Sequence, residues 1–183
     1  MRVDNNADAI ERCVRENEDD LYRYFRRRFS NDADAAEAFG ETLLTLWKLR
    51  RKIPADGHDA RLWLFGVARN VARTTQRSLA RHSQAVGRFV DEMRESAATS
   101  PGSDEAIEVR HALGKLNPDD AELIRLIYWD AFHSHEAAIV LGVSASAARS
   151  RLAKARATLR AELEVEAEIA VTRGGPAVGG RTL

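Results

Sequence analysis

Cysteine is nearly missing from this chain: Cys13 stands alone among 183 residues, so an intramolecular disulfide and a cysteine-rich zinc site are both excluded. No run approaches the roughly 20 consecutive apolar residues that a membrane-spanning helix requires. The polar, acidic start, residues 1–20, has neither the basic nor the apolar region of a signal peptide, so the cytoplasm is the expected address. Net charge is absent too, with 28 basic residues against 28 acidic ones; the chain is not a simple nonspecific polycation. With four prolines and 44% hydrophobic residues it fits neither a disordered nor a fibrous class. A Gly-rich phosphate loop, a nucleophile with a base and paired acids in a plausible pocket are all lacking, so an enzyme is not expected and no catalytic residue, metal site or cofactor is assigned. His133, His135 and Glu136 do not make a metal site, because histidines two apart do not share a helical face.

What the chain does have is helical periodicity, with no strand-like alternation, so an all-α fold is expected. The apolar spacing places helices near residues 10–29, 33–51 and 59–80, with Leu21, Tyr24, Phe25 and Phe29 on the first apolar face. Phe39, Leu43, Leu46 and Trp47 form that of the second helix, and Leu62, Phe65, Val67, Ala68 and Val71 that of the third. Ile53-Pro54-Ala55-Asp56-Gly57 reads as a loop. Periodicity then fades, and small polar residues before Gly102 read as a linker. A second helical set follows at about 104–116, from Pro118 onward, at 134–141 and at 146–163; Pro118 suits the first helical position, where its missing N–H is harmless. The expected organisation is two small helical domains joined by a flexible linker: 10–82, a linker at 83–103, a helix-turn-helix domain at 104–163, and a tail at 164–183 that is partly disordered.

The zero net charge conceals a segregation. Between Arg61 and Arg88, and again between Ser144 and Arg160, the charged side chains are all basic, while acids gather in the flanking segments. Arg69, Arg73, Arg77 and Arg81 stand at four-residue steps and project from one side of a helix. Like charges at that spacing repel, and a nucleic-acid backbone would neutralise them. In the second half, residues 134–156 carry a helix-turn-helix pattern. Ala138 permits close helix approach, Gly142 supplies a left-handed turn, and Val143 and Leu152 bury the second helix. That helix would expose Ser146, Arg149, Ser150 and Lys154 to the edges and phosphates of a major groove.

Three segments in order, Asp34-Ala-Ala-Glu-Ala-Phe-Gly-Glu-Thr-Leu-Leu-Thr-Leu-Trp47, Arg61-Leu-Trp-Leu-Phe-Gly-Val-Ala-Arg-Asn70 and Ser150-Arg-Leu-Ala-Lys-Ala-Arg156, resemble the motifs of extracytoplasmic-function (ECF) sigma factors. The resemblance implies a first domain that binds the polymerase clamp and the minus-ten promoter element, and a second that reads the minus-thirty-five element. It places Asp34, Glu37, Glu41 and Leu44 on the clamp-docking helix. Asp56, Arg61, Arg69, Asn70, Arg73 and Arg77 fall at the minus-ten strand, where residues 53–59 match a loop that accepts a flipped base. Ser146, Arg149, Ser150, Arg151 and Lys154 fall at the minus-thirty-five duplex. The implied partners are core RNA polymerase, through the clamp of the largest subunits and the flap, promoter DNA and an anti-sigma factor; the free chain is expected to be a monomer that does not insert into a membrane. Gly40 replaces the family's usual glutamine, and Ala137, Ala147 and Ala148 are smaller than usual. Trp63 and Phe65 are expected in the core rather than as stacking platforms. The competing assignment, a stand-alone helix-turn-helix regulator that binds operators as a dimer, leaves the Arg69 to Arg81 stripe without a purpose.

Overall fold

The computed structural model of the chain describes residues 5–90, 109 and 111–173, with side chains described to residue 82 of the third helix and residue 164 of the last. Among these residues the regular structure is entirely helical. Helix α1 spans Asn5–Arg26, α2 Asp32–Lys48 and α3 Gly57–Val90; α4 spans Pro118–Tyr128, α5 Ser134–Leu141 and α6 Ala145–Arg173. A short 3-10 turn, Arg50–Lys52, follows α2, and residues 111–114 are helical ahead of α4.

Local chemistry sets the boundaries. Asn31 takes an extended conformation and accepts the Ala33 N–H at 2.7 Å, capping α2. This reversal ends α1 at Arg26 instead of the expected Phe29, and Phe29 becomes a loop anchor bonded back to Phe25. Asp56 Oδ1 accepts the N–H groups of His58 and Asp59 at 2.9 and 3.0 Å, which starts α3 at Gly57. Asn117 caps α4 through the Asp119 N–H at 3.0 Å, with Pro118 in the first turn. Three helices overrun their expected limits. The start of α1 is polar and lacks the apolar rhythm that marks the rest. No proline interrupts α3, which runs on to Val90 through residues read as linker. Glu and Ala dominate residues 161–170, and these strong helix formers carry α6 to Arg173 through residues read as tail. Most of the expected linker, most of the 104–116 helix and residues 174–183 lie outside the described residues.

The core begins as a helical layer in which Leu21, Tyr24 and Phe25 of α1 meet Ala35, Ala38 and Leu46 of α2 and Leu62, Leu64, Phe65 and Ala68 of α3. It does not stop at the first half. The rings of Phe29, Phe25, Tyr24, Phe65 and Phe132 form a chain of neighbours with centroids 5.0–6.3 Å apart, and its last member belongs to the segment between α4 and α5. The two halves therefore share one continuous core, with α3 packed on α5. The two small helical domains expected from the sequence are both present, and they pack against each other, which composition carries no information on.

Gly40 lies mid-helix in α2, and a Cβ built there meets nothing within 4 Å. Gly40→Ala should stabilise the chain by about 0.5–1 kcal/mol, since glycine is a poor helix residue. This corresponds to a thermal midpoint raised by roughly 1–4 °C in a circular-dichroism melt. A lower midpoint would refute the regular helical placement of residue 40.

Candidate nucleic-acid interface

The helix-turn-helix is built as its glycine requires. Gly142 takes φ 68°, its N–H donates to Ile139 O at 3.0 Å, and the Val143 N–H reaches back to Ala138 O at 3.0 Å, closing α5 in a Schellman turn. Ala138 and Ala148 are buried where α5 and α6 meet, with Leu152 beside them. The small residues at 137 and 148 are thus close-packing positions, whereas Ala147 faces solvent. Ser144 Oγ accepts the Ala147 N–H at 3.1 Å and caps the second helix. The outward face of α6 presents Ser146, Arg149, Ser150 and Lys154, all exposed. Arg151 is different: its Nε lies 3.4 Å from Asp120 Oδ1. Arg156 is also engaged, donating to the Tyr128 hydroxyl at 2.8 Å.

The arginine stripe of α3 is split by burial. Arg77 and Arg81 are exposed, as is Asn70. Arg69 is buried and donates to Asp119 Oδ1 at 2.9 Å, and Arg73 lies 3.6 Å from the same oxygen. Arg61 turns inward as well. It donates to Asn17 Oδ1 at 2.6 Å and Asp20 Oδ2 at 3.0 Å, and its guanidinium lies over the rings of Phe65 and Phe132 at 4.8 and 5.0 Å. The Asp20 carboxyl sits below the usual carboxylate range, first through the Arg23 hydrogen bond and, against the effect of burial, through Arg61. Asp56 serves as the α3 cap. Phe65 is fully buried and Trp63 half-buried, both packed in the core.

On α2, Asp34 is half-buried and Glu37 and Glu41 are exposed, with Leu44 exposed farther along the helix. Trp47, expected in the core, is 51% exposed instead, with the Arg50 guanidinium 4.9 Å from its ring centroid. Ala35, Ala38, Thr42 and Leu46 form the buried stripe of α2, and Trp47, one residue beyond Leu46 and so about 100° round the helix, stays outside, beside Leu44. The outcome is an acidic and apolar face opposite in sign to the basic surfaces of α3 and α6.

Sequence reasoning missed a buried ionic cluster between the halves. Arg28, 2% exposed, donates through Nε to Glu122 at 2.9 Å and through Nη2 to Asp130 at 2.7 Å. Its Nη1 donates to the Tyr24 carbonyl, and its plane lies 3.4 Å from the Tyr24 ring centroid. The Tyr24 hydroxyl donates to Glu122 at 2.8 Å, and Arg27 pairs with Asp130. Burial pulls the Arg28 pKa down, but Tyr24, Glu122 and Asp130 outweigh it and hold the group above its ordinary value. Burial also drives the Tyr24 phenol well up, against the attraction of Arg28. Buried arginine next to a helical apolar face leaves no periodic signal, and acids about a hundred residues away do not announce the pairing.

Comparison with known proteins agrees with this geometry. The sigma-70 region 2 family matches residues 13–82, and the sigma-70 region 4 family matches residues 106–159. The ECF RNA polymerase sigma factor SigL of Mycobacterium tuberculosis is 31% identical over 156 residues, 84% of this chain and 86% of SigL. The ECF RNA polymerase sigma factor EcfG of Rhodopseudomonas palustris is 31% identical over 150 residues, 79% of this chain and 80% of EcfG. Among solved structures, CnrH in complex with the cytosolic domain of CnrY superposes with a TM-score of 0.63 at 26% identity, over 88% of this chain and 91% of CnrH. The fold is shared with the sigma factor RpoE in complex with the anti-sigma factor NepR from Bartonella quintana, with a TM-score of 0.61 at 22% identity over 89% of this chain and 99% of RpoE. A stand-alone helix-turn-helix regulator does not account for the region 2 match, and with both regions present in order the chain belongs to the ECF sigma factors, which direct core RNA polymerase to promoters.

Proposed function

We propose that this sigma factor divides its work among three surfaces. The acidic and apolar face of α2, with Asp34, Glu37, Glu41 and Leu44, docks on a basic surface of the polymerase clamp. The observation that carries the assignment is the charge contrast: exposed acids on α2 against exposed cations on α3 and α6, each suited to a partner of opposite sign. The exposed Asn70 and Arg77, with Arg61, Arg69 and Arg73 alongside and Asp56 at the start of the helix, hold the minus-ten strand near the 53–59 loop, where base extrusion takes place. Ser146, Arg149, Ser150, Arg151 and Lys154 of α6 enter the duplex at the minus-thirty-five element. Four of these five are short or flexible polar groups on an exposed helix face, and the alanines between them offer little hydrogen bonding, so phosphate contacts and DNA shape carry much of the recognition.

The role is that of an initiation factor without chemistry of its own, acting in the cytoplasm; among the described residues no helix is long and apolar enough to cross a membrane. An anti-sigma factor is a further partner, a class carried by the solved RpoE neighbour.

Charge reversal by Glu37→Lys with Glu41→Lys should reduce retention by immobilised core polymerase by about tenfold or more, as like charges replace attraction. Full retention of a normally helical double variant would move the docking surface elsewhere. The DNA surfaces separate on template structure. Arg149→Ala with Lys154→Ala should depress transcription on duplex promoters and lower the salt slope of binding by up to about two phosphate equivalents. Asn70→Ala with Arg77→Ala should act on strand opening, so a template premelted at the minus-ten region restores its transcript yield substantially and that of the α6 variant far less. Equal restoration of both would overturn the division of labour.

A further inference from the structure

A cavity of about 250 Å³ lies where the first half meets the start of α4. Its charged wall consists of Arg28 of α1, Arg69 and Arg73 of α3, and Asp119, Glu122 and Arg125 of α4. That wall is short of negative charge. Arg27 and Arg28 share Glu122 and Asp130, and Arg69 and Arg73 share a single oxygen of Asp119, at 2.9 and 3.6 Å. The Arg125 side chain makes no hydrogen bond or ion pair among the described residues. Five guanidiniums thus meet three carboxylates, which leaves two positive charges uncompensated beside a hollow. We propose that this cavity binds a diphosphate group, free or carried by a nucleotide, with Arg69, Arg73 and Arg125 as its ligands.

The unused donors belong to those three arginines. Arg28 spends Nε, Nη1 and Nη2 on Glu122, the Tyr24 carbonyl and Asp130. Arg69 is buried and gives Nη2 to Asp119, but its Nε has no hydrogen-bond partner among the described residues, whereas buried polar groups are normally paired. Arg73 stands beyond hydrogen-bond range of Asp119, and Arg125 brings a full fork of N–H donors. The field in the cavity is positive. Burial and repulsion from Arg28 hold the Arg125 guanidinium below its ordinary pKa, against the pull of Glu122. The first turn of α4 adds its dipole, although Asn117 already takes the Asp119 and Asp120 N–H groups. A planar carboxylate with two oxygens cannot accept three forks, whereas the oxygens of two linked tetrahedra can take paired bonds from each. Volume agrees with a compact anion, since drug-sized ligands need roughly 300–1,000 Å³; the diphosphate fills the hollow and any nucleoside stays outside it. Arg125 has no part in the promoter contacts assigned above, so those contacts and this site stand or fall separately.

The test is calorimetric titration of the full chain, without polymerase, DNA or magnesium, by inorganic pyrophosphate and by ADP. Pyrophosphate should bind at one site per chain and raise the thermal midpoint of a circular-dichroism melt. Arg125→Gln should weaken it about tenfold or more, the effect of losing one charge-assisted donor group. Arg12→Gln, at an exposed cation roughly 18 Å along α1 from Tyr24, is the charge-matched control and should bind as the unaltered chain does. Asp119→Asn removes the acid that competes for Arg69 and Arg73 and should tighten binding by roughly threefold or more. Each variant is checked for helicity. The two titrants separate the sources: equal affinity for ADP identifies a nucleotide end, and a clear preference for pyrophosphate identifies the free anion. Absence of saturable binding by either titrant, or binding that Arg125→Gln leaves intact, would overturn the site. Binding that Arg125→Gln abolishes but Asp119→Asn does not tighten would overturn Arg69 and Arg73 as its ligands.

Discussion

The arrangement of the whole molecule depends on what surrounds one guanidinium. Arg28 leaves the end of α1 at a point where the chain must reverse to reach the α2 cap, and it is almost fully buried. A charge removed from water in this way is tolerable only with partners on all sides. Tyr24 covers one face and offers its carbonyl, but that is not enough to neutralise a cation. Both carboxylates come from the other half of the chain, Glu122 from α4 and Asp130 from the turn after it. The first half therefore has a strong reason to hold the second while Arg28 stays buried. If one acid were lost with the halves still together, about 3–5 kcal/mol would be forfeited. Separation caps that cost by returning Arg28 to water, so the same cluster acts as both glue and release.

The partner side shows comparable local compromise. Ala131 adopts φ 56°, a left-handed conformation unusual for a residue with a Cβ and costing on the order of 1 kcal/mol. Its neighbours explain why it persists. The kink returns the Asp130 N–H to Arg125 O and the Phe132 N–H to Leu126 O, which aims the Asp130 carboxylate at Arg28 and the Phe132 ring at Phe65 on either side of a single residue. Strain in this turn is held by the contact between the halves, which connects the local backbone to the global arrangement.

These features separate what was legible in the sequence from what was not. Gly142, Ala138 and Leu152 announced the helix-turn-helix because turn chemistry and close packing act over a few residues. Pro118 at the start of α4 belongs to the same local class. Trp47 was misplaced because its spacing also fits an apolar stripe, while the helix is turned so that Ala35, Ala38, Thr42 and Leu46 face the core and Trp47 does not. The acidic run after Glu162 looked like a solvated tail, although Glu is as good a helix former as it is a soluble residue. Arg61 and Arg69 matched motif positions, but motif matching says nothing about the state in which a side chain is found. Here Arg61 is held by Asp20, 41 residues away, and Arg69 by Asp119, 50 residues away, and no short-range pattern encodes that.

The chemistry of the contact also constrains what can open it. Its central cations are arginines, which stay protonated throughout the physiological range, and the phenol of Tyr24 is pushed further from titration by burial. Neither Arg28 nor Tyr24 therefore gives a modest pH change anything to act on, while the His58–Glu136 pair at the same contact is a separate, half-exposed link. Salt is a weak lever as well, because the Arg28 pairs are shielded from the solvent ions that screen surface charges. What remains is binding. A ligand shifts an equilibrium between closed and open forms by no more than its difference in affinity for the two, and reversal from 1:99 to 99:1 needs about 5.5 kcal/mol of such preference. On the proposed assignment of Arg69, Arg73 and Arg151 to promoter DNA, each phosphate contact would replace an existing ion pair with Asp119 or Asp120, and the net gain would be small. The exposed acidic and apolar face of α2 has no such competition, because Glu37, Glu41, Leu44 and Trp47 are already at the surface in the closed form. A partner that docks first on α2 and then holds the second half away from α3 can therefore supply the preference that DNA lacks.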